Sequence, residues 1–355
     1  MNTRSIIPEV AVPRATLQKM QDFAALMLGL KKQAAYQQWI AKSVPASAML
    51  GNDDAPILMG FDFHLSPDGP KLIEINNNAG GLFTGINGWL PQPAIDGCLT
   101  ERLLQMFPEH WQSIAIVDAD IEQQFMFPEM LAYAGMLREA GRDVFVCSPE
   151  AIVRRNDGLY VENQRLDAIY NRHTDFYLQT PAMAHICDAL QHQHIALNPF
   201  PRSYALLGDK NRMADWWQAD VLEQWFSAES CAIVRNIVPQ VQRLQDVDAD
   251  TAWSQRKRWV FKPPDSHAGK GVVLGKAMSR KRFASLDRCT TLMQEYIPAS
   301  EITSEHGETF RFDVRLYMHG ATSIAWAGRA WRGQLTNFRE QGSGWTSIQA
   351  VDDRC

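Results

Sequence analysis

GFDFHLSPDGPKLIEINNNAGG, residues 60–81, decides how this chain of 355 residues is read. Two runs, Gly60–Leu65 and Lys71–Asn76, look like half-buried strands, and Pro67, Asp68 and Gly69 supply the turn between them. Period-2 alternation sends Glu74 and Asn76 to one face and Ile73 and Ile75 to the other. Asp62 joins the Glu74 face only if the hairpin loop holds an odd count of residues, three or five. A two-residue loop at Asp68-Gly69 would turn it to the opposite face. An odd loop is therefore expected, because Asp62, Glu74 and Asn76 make an oxygen-only set suited to Mg2+ or Mn2+. Three asparagines, 76 to 78, followed by Ala79-Gly80-Gly81, imply a turn whose backbone can meet a ligand.

Three stretches far along the chain complement this hairpin: Trp259–Gly271 (WVFKPPDSHAGKG), Leu292–Pro298 (LMQEYIP) and Phe310–Tyr317 (FRFDVRLY). The first reads as a strand ending in Lys262, a small-residue loop and a second strand, Val272–Leu274. Gly269 and Gly271 let backbone N–H groups approach anionic oxygens with no Cβ in the way. His267, Ala268 and Lys270 complete that loop, and Lys262 would put a point charge on a phosphate. A Walker A loop is excluded, since Pro264 stands where glycine is needed and Gly271 where Ser or Thr is needed. The second stretch ends a strand at Gln294-Glu295-Tyr296-Ile297 before Pro298 breaks it. Such a strand end offers backbone hydrogen bonds and apolar neighbours to a flat purine.

Composition narrows the classes. A hydrophobic fraction of 46% and a charged fraction of 21% are ordinary for a globular protein of two to three lobes. The net charge of −5 argues against nucleic acid as a partner. No run of about 18 apolar residues offers a membrane span, and MNTRSIIPEV lacks the pattern of a signal peptide. Six cysteines with no CxxC spacing disfavour structural zinc or a disulfide framework, so a cytoplasmic location is expected.

Residues 14–33 read as a helix with Leu17, Met20, Ala24 and Met27 on one face. Residues 112–200 alternate strands (113–118, 143–147, 167–172, 195–197) with helices (128–140 and near 181–193), as a small parallel α/β lobe does. Asn198–Pro201 marks a boundary, and a further helix starts near Gly208-Asp209-Lys210. Arg172, at the end of a strand, is placed to grip a carboxylate with two hydrogen bonds.

Together these pieces resemble the ATP-grasp superfamily, and most of all its tubulin-tyrosine-ligase-like, glutathione synthetase and ribosomal-protein glutamate ligase branches. Gln334–Phe338 (QLTNF) is similar to the Thr-Asn segment of that branch, and residues 60–76 are similar to its Asp…Glu-x-Asn hairpin. The order departs from the family's, because that hairpin normally follows the Thr-Asn segment. The resemblance therefore implies an α/β (α+β) fold, a circularly permuted ATP-grasp whose two α+β lobes sandwich ATP beside a small parallel α/β domain. It also implies that the two chain ends lie close together. The expected division is 1–100 for the permuted last part of the ATP-grasp lobe and 101–202 for the α/β substrate domain. Residues 203–300 then form the first ATP lobe, and 301–355 the start of the second.

Carried over residue by residue, Lys210 and Lys262 resemble the two ATP-contacting lysines, and Gln294 to Ile297 the adenine hinge. Glu301, with Glu305 as the alternative, resembles the ribose contact. Asp62, Glu74 and Asn76 resemble the metal set. Arg315, Arg329 (or Arg332) and Asn337 resemble the groups that hold the transferred phosphoryl, and Asp313 a further contact. The implied activity is an ATP- and Mg2+-dependent carboxylate–amine ligase working through an acyl phosphate on an amino acid, peptide or protein tail. Its partners are then ATP and a carboxylate–amine pair, and the resemblance allows a homodimer. Two other classes stay open: a small-molecule phosphotransferase, and a nucleotide-binding module without catalysis.

Overall fold

Pro13, with its fixed φ, opens the helix Arg14–Lys31, whose Leu17, Met20, Phe23, Ala24 and Met27 recur every three or four residues and are all buried. That stripe packs on one face of a six-stranded antiparallel sheet. The computed structural model describes residues 7–51, 55–83, 99–263, 271–334, 336 and 342–352. In the sheet the strands run Gly344–Thr346, Thr322–Trp331, Thr309–His319, Met59–Ser66 and Gly69–Asn76, with Ser300–Thr303 also paired to Thr309–His319. An early hairpin is thus completed by strands some 250 positions later, as a permuted order would require. Phe61, Phe63, Leu72, Ile75, Val314 and Leu316 line the apolar face; burying each contributes about 1.5–3 kcal/mol.

The hairpin differs from its expected form. Ser66 pairs with Gly69, so the loop has two residues, Pro67 and Asp68, not three or five. Asp62 still lies opposite Glu74, because the register slips between Asp62 and Phe63 and leaves Ile73 as a bulge. The odd residue exists; it sits inside the strand instead of in the loop.

The chain ends meet. Val10–Pro13 pairs in parallel with Ile348–Val351, and Arg14 Nε reaches Asp352 Oδ1 at 3.1 Å. A parallel sheet of four strands, ordered Ala196–Asn198, Ala168–Asn171, Ser113–Val117, Asp143–Cys147, forms the α/β lobe. The helix Phe127–Glu139 crosses from Ser113–Val117 to Asp143–Cys147, and Ala184–Gln191 precedes Ala196–Asn198. Another antiparallel sheet joins Val241–Arg243, Leu292–Glu295, Trp259–Lys262 and Val273–Leu274. The small sheet Ile152–Arg155, Gly158–Val161, Gln164–Arg165 has no counterpart in the sequence reading. Among the described residues no helix is long and apolar enough to cross a membrane.

Candidate functional site

Register alone builds the site. Glu74 lies opposite Asp62, Asp62 opposite Arg315, and Asp313 opposite Arg329, so these side chains share the sheet face turned away from the helix Arg14–Lys31. Arg315 donates through Nε and Nη2 to both oxygens of Asp62, each at 2.6 Å. Arg329 grips Asp313 the same way, at 2.7 and 2.6 Å, and its Nη2 lies 2.8 Å from Asp62 Oδ2. Asn76 Nδ2 donates to Asp62 Oδ2 at 2.9 Å and to Glu74 Oε1 at 3.3 Å. Burial pushes the Asp62 carboxyl upward while the two guanidiniums pull against that rise.

The sheet that holds Trp259–Lys262 and Leu292–Glu295 closes over this face. Lys262 Nζ and Gln294 Nε2 both donate to the carbonyl of Ile73, at 3.4 and 3.3 Å. That carbonyl belongs to the bulged residue, and the bulge thus becomes the point where the two sheets touch. Lys210 Nζ lies 3.9 Å from Glu74 Oε2. Burial alone would raise the Glu74 carboxyl, but Lys210, Arg329, Lys262 and Arg315 outweigh it and hold it at about 2. Burial, helped by Lys210, lowers the Lys262 ammonium to about 8, with Glu74 opposing. Four cations therefore converge on one ionised carboxylate.

The structure also separates residues that the sequence left as alternatives. Arg329 belongs to the buried cluster, whereas Arg332 pairs with Glu308 at 2.6 Å and lies over the Phe310 ring. Glu301 pairs in register with Arg311, two residues from Asp313, and its carboxylate lies 3.4 Å from Arg311 Nη2 on that same face. Glu305 lies beyond the strand end, and both glutamates are exposed. At residues 294–297, expected to receive the base, the N–H groups of Glu295 and Tyr296 already donate to the carbonyls of Gln240 and Arg258. Gly271 sits at φ +74°, against Pro263. His267, Ala268, Gly269, Lys270 and Asn337 lie outside the described residues.

Arg172 stands where the α/β lobe meets the Asn76–Gly81 turn. Its Nη1 donates to Asn78 Oδ1, to the carbonyl of Ala79 and to Tyr170 Oη. Gly80 lies between Arg172 and the six-stranded sheet, and its carbonyl accepts from Arg315 Nη1 at 3.1 Å and Tyr317 Oη at 3.0 Å. Gly81, at φ +90°, donates its N–H to Glu129 Oε2 at 2.5 Å. The residues after the Met59–Asn76 hairpin are thus tied both to the α/β lobe and to Arg315.

His64 escaped the sequence reading. It follows Asp62 by two, so the same alternation that selected Glu74 and Asn76 points it to this face. Its Nδ1 meets the carbonyl of Ile297 at 2.9 Å, joining the hairpin to the hinge. Trp345, opposite Arg329 in register, has its ring 5.9 Å from the Arg315 guanidinium carbon.

Oxygen donors around ionised Glu74 suit a hard divalent cation. Glu74 fits, and so does Asn76, which turns its amide N–H groups to the carboxylates and leaves Oδ1 for a ligand. Asp62 does not offer a spare carboxylate in the same way: both of its oxygens are held by arginine.

No protein-family model matches the sequence, and no curated protein does. The fold is shared with a solved structure of low sequence identity. The crystal structure of a Methylobacillus flagellatus KT protein, provisionally named a gamma-glutamylcysteine synthetase, is similar to this chain with a TM-score of 0.54. The two are 13% identical, and the likeness covers 88% of this chain and 82% of the other. The ATP-grasp ligase PsnB, complexed with a minimal precursor, Mg and ADP, gives a TM-score of 0.34 at 12% identity over 67% of this chain and 88% of its own. At that TM-score no argument rests on it.

Proposed function

We propose that this protein is an ATP-dependent carboxylate–amine ligase, with ATP held between the antiparallel sheet and the polar face of the six-stranded sheet. One observation carries the reading: the register sets Glu74, Arg315 and Arg329 on one sheet face, with Lys210 Nζ 3.9 Å from Glu74 Oε2 and Lys262 Nζ reaching the neighbouring Ile73 carbonyl at 3.4 Å. A cleft that gathers four cations around one carboxylate suits the phosphates of a nucleotide and a second anion beside them.

The difficulty in such a reaction is bringing a carboxylate up to a phosphate. Lys262 and Lys210 would neutralise the phosphates, and Arg315 and Arg329 the oxygens of the transferred group, as charge spreads in the transition state. These arginines are fixed beforehand by Asp62 and Asp313, so little reorganisation is needed at the moment of reaction. Glu74 and Asn76 would hold Mg2+ (or Mn2+), which supplies further neutralisation of phosphate charge. Asp62 orients Asn76 and the arginines. Gln294 to Ile297 would receive the base, Glu301 the ribose, and the loop of His267, Ala268, Gly269, Lys270 and Gly271 the phosphates, with Asn337 near the transferred group. Attack of the substrate carboxylate oxygen on the γ-phosphorus releases ADP and leaves an acyl phosphate. An amine then displaces inorganic phosphate and gives up its proton.

Hydroxylamine tests this directly. With ATP, Mg2+ and the correct acid, a hydroxamate should form alongside ADP, and Glu74→Gln should abolish both. ADP released on a phosphorylated product, with no hydroxamate, would favour a phosphotransferase; nucleotide binding with no ADP would leave only a binding module.

A further inference from the structure

The parallel sheet has its own crevice. From Ser113–Val117 the chain crosses to Asp143–Cys147 on one side, then returns to place Ala168–Asn171 and Ala196–Asn198 on the other. The strand order therefore reverses between Ser113–Val117 and Ala168–Asn171, and ligands of open parallel sheets bind outside the carboxyl ends at such a point. The residues that follow these two strands are Asp118 and Arg172.

Val117 pairs with Asn171, and the Arg172 N–H donates to the Val117 carbonyl at 2.8 Å. Asp118 and Arg172 thus leave adjacent strands side by side, about 4.8 Å apart at the backbone. Asp118 is only 8% exposed. Its Oδ1 accepts from the Ala119 N–H at 2.8 Å, and Oδ2 has no hydrogen-bond partner among the described residues. Arg172 commits only Nη1 to the neighbouring turn. Its Nε and Nη2, the edge that takes a carboxylate with two parallel hydrogen bonds, make none among the described residues. No ion pair joins the two side chains to each other among those residues.

Arg172 also feels the Glu129 carboxylate and Asp118 feels Arg172, yet Oδ2 and the Nε–Nη2 edge make no hydrogen bond among the described residues, which is costly unless something else completes them. We propose that this crevice binds a small zwitterion of the amino-acid class, its ammonium on Asp118 and its carboxylate on the Nε–Nη2 edge of Arg172. The short separation of the two residues favours one amino acid over the distant termini of a peptide. Gly80 borders the crevice: a Cβ there would come within 3.0 Å of Arg172 Nη2 and 2.9 Å of Met126 Cε. The Gly80 carbonyl in turn accepts from Arg315, so the bound molecule would sit next to the arginine cluster. Burial raises the Asp118 carboxyl to about 6, against the pull of the Ala119 N–H and Arg172. This deepens the ligase reading by naming a substrate class for the same cleft.

The test measures binding without ATP, so that it stands apart from turnover. The twenty amino acids and Gly-Gly are titrated calorimetrically into the full chain, each beside its N-acetyl and C-amide forms. The proposal expects at least one free amino acid to bind, with N-acetylation and amidation each weakening it about tenfold or more. In Asp118→Asn the N-acetyl penalty should vanish while the amide penalty stays, with an unchanged far-UV circular dichroism spectrum. Equal binding of free and acetylated forms, or no amino acid binding at millimolar concentration, overturns the assignment. So does an acetyl penalty that persists in Asp118→Asn. If binding follows the expected pattern but no hydroxamate ever forms with ATP, the crevice stands and the ligase reading falls.

Discussion

Glu74→Gln isolates the charge around which the cleft is built. The surrounding cations move this carboxyl from 4.5 to about 2, a shift worth about 3 kcal/mol of preference for the ionised form in the folded protein. Its side chain is 27% exposed, so solvent does little to screen that figure. A folded-state value below the unfolded one means the stabilisation is fully present above pH 4.5 and is lost as pH falls through 2. The expected gap between native protein and Glu74→Gln is therefore about 3 kcal/mol at pH 7 and about 2 kcal/mol at pH 3.5. Urea titrations followed by tryptophan fluorescence at both pH values, without nucleotide or metal, read the gap directly. A gap that does not change with pH, or a glutamine variant more stable than the native protein at pH 7, would refute the four-cation account. The same pair of proteins then tests function, since only the native one should gain stability from Mg2+ with ATP.

Lys262, lowered to about 8, should bind nucleotide less well as pH rises through that value, because its charge is lost; Lys262→Ala should bind weakly and show no such dependence in a fluorescence titration. Asp62→Asn removes the negative charge and one of the two acceptor oxygens that face Arg315 and Arg329 inside the cluster and should cost about 3–5 kcal/mol, read as the denaturation midpoint. A loss under about 1 kcal/mol would mean that Asp313 alone can hold the cluster. Gly81→Ala combines a positive φ with a Cβ that would sit 1.8 Å from the Trp345 ring, so it should cost about 2–5 kcal/mol and lower ADP release with it. By contrast Arg14→Ala, which breaks only an exposed pair, should shift stability by no more than about 0.5 kcal/mol.

Much of this site is legible in the residues themselves, because strand alternation is a strong signal. Glu74 and Asn76 against Ile75 fix a polar and an apolar side before any partner strand is known. The displaced order of the hairpin and the stretches after Trp259 predicts that the ends meet, and Val10–Pro13 lying along Ile348–Val351 agrees. What alternation does not locate is the odd residue. A three-residue loop and a two-residue loop plus a bulge bring Asp62 to the same face, and nothing in KLIEIN marks Ile73 as the bulged position. Nor does spacing say which arginine meets which carboxylate. Arg329 and Arg332 are three apart, and only the pairing of Thr309–His319 with Thr322–Trp331 puts one on Asp313 and the other beside Glu308. Tyr170-Asn171-Arg172 drew attention as a strand end, but Asp118 gained meaning only when the two strands proved adjacent.

The hairpin that carries Glu74 leaves the ribosome before its sheet partner, Thr309–His319, which is made roughly 230 residues later. At about 5–20 residues per second the wait lasts between about ten and fifty seconds. Throughout it, Phe61, Phe63 and Ile75 have no complete sheet to shelter them, and the strand edge that will receive Val314 to Met318 stays open to unwanted pairing. Synthesis order thus gives this arrangement a vulnerable interval during translation, when a chaperone that shields open strand edges would matter most.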